Sequence, residues 1–251
     1  MLGYPAENQS AWERLRETGN ERVRVVFPAT ADVDPRDAQR VVDAFESQAP
    51  LSGLPADVLA KKKITISLAS QPVQSLDGWS SPIPGLIALP LEKALAWPAE
   101  KLHRVIRHEL AHIGMGVFLN YDEPPAWFGE GFAEWVAGGL TCEGEARIRL
   151  DLLTRRRLSR APPQLLGPTR PSRSRLSYDL FGTFFTYVND STGGAVDSGV
   201  LLESVRNYGV NIGIQRAVGV EPVELERDWQ SYLLRRYGGP LEELSCDPIR
   251  G

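Results

Sequence analysis

The sequence lacks any apolar run near the roughly 18 residues that a membrane-spanning helix requires. It also lacks a basic excess, because 28 lysines and arginines stand against 32 aspartates and glutamates. The net charge of −4 is not typical of a nucleic-acid-binding protein. The start, MLGYPAENQS, has no basic stretch before an apolar core, so no signal peptide is visible. We expect a soluble protein without a nucleic-acid partner, either cytoplasmic or exported if its start has been trimmed. The sequence does not indicate the oligomeric state.

Cysteine is scarce as well, with only Cys142 and Cys246 in the chain. Two cysteines in a chain of this length do not make a disulfide scaffold, and no pair has zinc-knuckle spacing. We expect two free thiols, although the sequence leaves one long-range disulfide open.

The first hundred residues alternate in a way that predicts strand, helix, strand, strand. Residues 22–29 and 63–70 alternate apolar with polar positions, and residues 35–48 place apolar side chains at helical spacing. Residues 86–91, LIALPL, predict a short strand that Pro90 places near an edge of the sheet. These elements predict a small β/α lobe with a mixed sheet.

After Pro98 the pattern becomes mainly helical. We expect the first of these helices to begin at Pro98 and to end at Gly114 or Gly116. Further helices are predicted near residues 126–139, 144–160, 177–190, 196–207, 211–218 and 222–239. The segment 155–175 holds seven arginines and no acid, and predicts a solvated helix end and a loop, with a rim for acidic peptides as the alternative.

The whole chain of 251 residues suits one large domain of two lobes. We expect a leader over residues 1–20 and a single domain over residues 21–251. Within it, a β/α lobe would cover residues 21–121 and a helical lobe residues 122–251. The predicted fold class is therefore α+β.

Histidine is also scarce, with only three in the chain, and the positions of two of them point to metal chemistry. His108 and His112 stand four residues apart in VIRHELAHIGMG, so a helix places them on one face. Two imidazoles one turn apart can bind the same Zn²⁺ ion. Glu109 is offset by one residue, which suits a general base beside the metal in an H-E-x-x-H arrangement. His103 points ~140° away from His108 and is expected at the surface or behind the site.

A catalytic zinc site normally has a third protein ligand and an open position. A metzincin-type histidine is excluded because Phe118 stands at its place, and the aspartate of aspzincins is replaced by Thr186. Glu130 on the following helix is the remaining candidate, with Glu134 one turn later. We expect Glu130 on the metal and Glu134 hydrogen-bonded to a ligand histidine, because aromatic neighbours imply burial and a buried carboxylate needs a partner.

The segments HELAH and PAWFGEGFAEW together resemble the gluzincin metallopeptidases, and within them the peptidase MA-like group that is related to zinc aminopeptidases and thermolysin. The resemblance covers residues 101–135 closely and the carboxy-terminal helices more loosely. It implies a two-lobed fold with one zinc ion in the cleft between the lobes. It also implies that residues 85–90 form the edge along which an extended peptide lies.

The resemblance further implies an oxyanion donor, often a tyrosine of the helical lobe. Tyr178 stands near a Y-x-x-G-like pattern whose glycine comes one position late, and Tyr187 is the alternative. Zinc aminopeptidases carry a G-x-M-E-N motif whose glutamate holds the free amine of the substrate. The stretch GLIALP at residues 85–90 has no acid, which favours an endopeptidase.

The prediction from sequence is therefore a zinc-dependent metallopeptidase that acts on a peptide or protein by Glu-assisted attack of a zinc-bound water. Three alternatives stay open. The protein could be a catalytically silent binding or regulatory module braced by the metal, an aminopeptidase, or a zinc hydrolase of other substrates.

Overall fold

Five strands in the amino-terminal half form one mixed sheet in the computed structural model, which describes residues 15–52, 63–69, 78–81, 85–120, 122, 124–157 and 175–239. The strands are β1 (Leu15–Gly19), β2 (Val23–Pro28), β3 (Ile64–Ala69), β4 (Trp79–Ser81) and β5 (Leu86–Pro90). Their order is β1-β2-β3-β5-β4, with β2, β3 and β5 parallel and both outer strands antiparallel to their neighbours. The predicted α+β class and mixed sheet are confirmed.

Nine α-helices lie in the described residues. They are α1 (Pro35–Gln48), α2 (Leu91–Ala96), α3 (Ala99–Phe118), α4 (Ala126–Val136), α5 (Cys142–Arg157), α6 (Arg175–Ser191), α7 (Ser198–Tyr208), α8 (Val210–Val218) and α9 (Pro222–Tyr237). The mainly helical character predicted after Pro98 is confirmed. None of the helices in the described part of the chain is long and apolar enough to cross a membrane.

The chain divides into two compact units, Met1–Val117 and Phe118–Gly251. The expected lobe boundary lay at residues 121 and 122, and the assignment of residues 21–251 to a single domain stays a prediction. Residues 1–14 of the expected leader, the arginine-rich stretch 158–174 and Cys246 lie outside the described residues.

The first unit is built around one hydrophobic cluster that joins the sheet to α1 and α3. Asp34 caps α1 by accepting a hydrogen bond from the backbone N–H of Arg36, and Pro35 follows as the first helical residue. Val41 and Phe45 of α1 are buried against the strands. The apolar stripe of α3 enters the same cluster with Leu102, Ile106, Leu110 and Ile113. This stripe fixes the rotation of α3 about its axis.

The second unit depends on close packing of α4 on α6. A Cβ at Gly131 would lie 2.7 Å from the Phe181 carbonyl oxygen, so only glycine fits there. Aromatic rings fill the space around this contact, with ring centroids 5.3–6.2 Å apart among Trp127, Phe128, Phe132, Phe184, Phe185 and Trp229. The Trp229 indole N–H donates to the Thr183 hydroxyl at 3.1 Å, which ties α9 to α6.

The edge position expected for residues 85–90 was wrong, and one strand was not predicted. β5 is not an edge strand, because β4 pairs with it through Trp79 to Ser81 and takes the outer place. Pro90 is tolerated in β5 because it stands opposite Ala69 at the last paired position, beyond the residues that β4 covers. β1 was not predicted as a strand, since four of its five residues are exposed and show no alternation.

Two local predictions in the helical part were also wrong. The metal-site helix α3 continues through Gly114 and Gly116 to Phe118, and Asn120 in the turn after it has a left-handed φ of 55°. Cys142 is disulfide-bonded rather than a free thiol, and Cys246 is the only other cysteine of the chain.

We predict that Gly131→Ala destabilises the protein by about 2 kcal/mol. Overpacking against backbone costs about 3 kcal/mol, and the better helix propensity of alanine returns about 1 kcal/mol. The matched control is Gly199→Ala on α7, where a new Cβ would meet only the Asp197 side chain at 3.3 Å. Urea unfolding followed by tryptophan fluorescence measures both. Equal free energies of unfolding for the two variants would show that the α4–α6 contact is not as tight as described.

Candidate metal centre

His108 and His112 face the same way from α3. Their Nε2 atoms are 3.2 Å apart, and both side chains are half-buried. Two ligand atoms ~2.0–2.1 Å from a tetrahedral zinc ion lie ~3.3 Å from each other. The helix therefore presents both nitrogens at nearly the spacing that one ion requires. The one-turn separation predicted from the sequence is seen in the structure.

Glu130 brings a third ligand atom to the same place. One atom from each of His108, His112 and Glu130 lies within 4.8 Å of the other two, so the three side chains could hold a metal ion. Within the described residues no other group of histidine, cysteine and acidic side chains meets this condition. His103, the remaining histidine, is partly buried and is not in the group.

The donor set fits zinc by its chemistry. Two imidazoles and one carboxylate are a ligand set of catalytic zinc sites, which keep a fourth position open for water or substrate. Thiolates, which are typical of closed structural zinc sites, do not take part in the group. The assignment of these three residues to zinc stays a prediction, and so does the number of ions.

Glu109 is buried at the centre of α3, with only 5% of its surface exposed. Its carboxylate packs against the backbone of Gly78, where a Cβ would lie 2.8 Å from Glu109 Oε1 and 3.2 Å from Leu89. Gly78 directly precedes β4, so the edge strand of the sheet begins against this carboxylate. Gly78 was not anticipated from the sequence, where its signal is a glycine within the turn-rich segment SLDGWSSPIPG.

Glu134, expected to contact a ligand histidine, lies one turn after Glu130 on α4. A Cβ added at Gly182 would lie 3.0 Å from the Cβ of Glu134, so α6 packs directly on Glu134. The hydrogen bond to Asp179 raises the pKa of Arg147 and burial lowers it, while the charges of Asp179, Glu143 and Glu134 add smaller upward contributions. The expected hydrogen bond to histidine stays a prediction.

The two candidate tyrosines lie on opposite faces of α6, because nine residues are ~900° of helical rotation. Tyr178 is four residues before Gly182 and so shares the face that meets α4. Tyr187 packs on Tyr232 with ring centroids 5.3 Å apart, and burial followed by the charge of Asp228 raises its pKa. Tyr178 and Tyr187 thus face different neighbours, and the choice of Tyr178 as oxyanion donor stays a prediction.

Comparison with known proteins gives distant similarities. No protein-family profile matches the sequence, and no curated protein does. A crystal structure of an M1 zinc metallopeptidase from Deinococcus radiodurans is 16% identical, with a TM-score of 0.41 over 86% of this chain and 50% of that one. A two-domain M1 zinc metallopeptidase mutant bound to L-arginine is 17% identical, with a TM-score of 0.39 over 90% and 52%. This chain spans about half the length of each.

We predict that the purified chain binds one zinc ion, measured by elemental analysis. Glu130→Ala and His112→Ala should each weaken zinc binding at least ~100-fold in competition with a chromophoric chelator, because each removes a direct ligand. His103→Ala is the matched control and should bind as the parent does. Parent-like affinity in Glu130→Ala would remove Glu130 from the metal.

Proposed function

We propose that this protein is a zinc-dependent hydrolase of peptide bonds. The observation that carries the proposal is the approach of the His108, His112 and Glu130 ligand atoms to within 4.8 Å, beside the buried carboxylate of Glu109. A zinc ion, when bound, supplies Lewis-acid chemistry by acidifying water and polarising a carbonyl. His108, His112 and Glu130 would hold the ion, and other side chains of this protein would transfer protons and donate hydrogen bonds.

Glu109 is proposed as the general base. It neighbours His108 in sequence yet is not in the ligand group, so its carboxylate is available to take a proton from water and later to pass it to the leaving amine. The Gly78 backbone packs against one oxygen and limits the positions that the carboxylate can adopt. A site whose metal only braces the fold has no use for a base held in this way.

Tyr178 is proposed as the donor that stabilises the oxyanion formed on the substrate carbonyl. Support comes from its place on the α6 face that carries Gly182, which packs on Glu134. Glu134 is proposed to orient a ligand imidazole by accepting its second N–H.

The proposed substrate is a peptide that adds to the sheet as a further strand. Because β4 lies outside β5, the peptide would pair with β4 rather than with residues 85–90 as expected from the sequence. Neither β4, WSS, nor β5, LIALP, carries an acid that could hold a free amino terminus. This composition favours an endopeptidase over an aminopeptidase.

We predict that Glu109→Gln retains zinc and lowers hydrolysis of a quenched-fluorescence peptide library by about 10³-fold, because glutamine cannot accept the proton. Glu100→Gln, an exposed change on the same helix, is the control. Gly78→Ala should also lower the rate, by about 10-fold or more, since its Cβ would displace the carboxylate. Unimpaired cleavage by zinc-loaded Glu109→Gln would contradict the mechanism, and a zinc-loaded parent that cleaves nothing would favour the metal-braced binding module.

Tyr178→Phe is expected to lower kcat about 10²-fold with little change in KM, because the lost hydroxyl acts mainly on the transition state. Tyr187→Phe on the opposite face should remain within about 2-fold of the parent by the same reasoning. Steady-state kinetics on one peptide from the library separates the two. A larger effect at Tyr187 than at Tyr178 would reverse the assignment.

A further inference from the structure

The buried carboxylate of Asp179 lies directly after Tyr178, in the second turn of α6. It is 8% exposed and accepts two hydrogen bonds from Arg147 on α5. Arg147 Nε donates to Oδ2 at 2.7 Å and the terminal nitrogen donates to Oδ1 at 3.2 Å. This two-point contact fixes both the distance and the orientation of the carboxylate. The ion pair was not anticipated from the sequence.

Helix α5 makes room for Asp179 with a glycine. A Cβ at Gly144 would lie 2.7 Å from Asp179 Oδ1, so the carboxylate packs against the α5 backbone on one side while Arg147 binds it. Because both contacts come from one helix, they tie the amino-terminal end of α6 to α5 at a buried carboxylate.

The following turn of α6 has its own anchor. The Thr183 hydroxyl donates to the Leu180 carbonyl at 2.6 Å and accepts from the Trp229 indole at 3.1 Å. Loss of the Asp179 contact should therefore affect the first turn, which contains Tyr178, more than the rest of the helix.

We propose that Arg147 and Asp179 are positioning residues, which hold the first turn of α6 and thereby place the Tyr178 hydroxyl for oxyanion stabilisation. The inference rests on the proposed role of Tyr178. Adjacent Cα atoms are ~3.8 Å apart along a rigid helix, so the orientation of Asp179 is passed directly to Tyr178. Both residues are proposed to act through Tyr178 rather than by contact with the reacting atoms.

The direct test replaces Tyr178 with 3-fluorotyrosine in the full zinc-loaded chain and records its ¹⁹F NMR signal. Arg147→Lys keeps the positive charge but cannot bind both carboxylate oxygens in the same plane. Gly144→Ala displaces the carboxylate from the other side and leaves both charges in place. Both variants should shift or broaden the signal.

Arg149→Lys is the matched control. Arg149 is also an arginine of α5, more deeply buried than Arg147, and it binds Glu145 through Nε at 2.9 Å and a terminal nitrogen at 2.7 Å within its own helix. The Arg149→Lys variant should leave the ¹⁹F signal of residue 178 unchanged. An unchanged signal in folded Arg147→Lys and Gly144→Ala would overturn the proposal.

The kinetic test is a double-mutant cycle between Arg147 and Tyr178. Arg147→Lys should lower kcat about 10-fold, leave KM within about 2-fold and leave zinc affinity unaltered. In the Tyr178→Phe background it should cause no further loss, because its effect acts through the missing hydroxyl. If the kcat losses of Arg147→Lys and Tyr178→Phe multiply in the double variant, Arg147 has a general structural role and the proposal is contradicted. If no form of the chain cleaves peptides, the proposed function fails, and the ¹⁹F signal alone still decides the positioning role.

Discussion

Three ligand atoms can meet at one metal only if the helices that carry them are fixed to within a fraction of an ångström. One helical turn separates His108 from His112, and this places their Nε2 atoms 3.2 Å apart. The apolar stripe of α3 in the first hydrophobic cluster sets the direction in which both imidazoles point. For Glu130 the equivalent support is the aromatic packing around α4 and the missing side chain at Gly131. The metal chemistry therefore depends on core packing.

Glycines give the candidate site its close contacts. Gly78 lets the edge of the sheet reach the carboxylate of Glu109, Gly131 and Gly182 let α6 reach α4, and Gly144 makes room for Asp179. A Cβ at any of these positions would lie 3.0 Å or less from the backbone or a side chain of a neighbouring element. Glycine thus determines the distance between neighbouring elements, while the polar residues determine the chemistry.

Features with a local period could be predicted from the sequence, and features made by distant pairing could not. The helix α1 has the predicted bounds Pro35–Gln48 because its apolar spacing and its cap are both local. β4 was missed because it has only three residues and lies in a turn-rich segment. β1 was missed because it is mostly exposed and shows no alternation. The Asp179–Arg147 pair spans 32 positions, and no spacing rule relates such residues. The roles of Glu130, Glu134 and Tyr178 stay predictions because they came from elimination and resemblance.

X-ray absorption at the zinc edge of the loaded parent protein tests the central claim most directly, because it counts the atoms that bind the ion. The account predicts two imidazole nitrogens and one carboxylate oxygen at about 2.0–2.2 Å, with one further light atom from solvent. Glu130→Ala should lose the carboxylate contribution alone. A sulfur neighbour near 2.3 Å, or a spectrum that Glu130→Ala leaves unchanged, would contradict it.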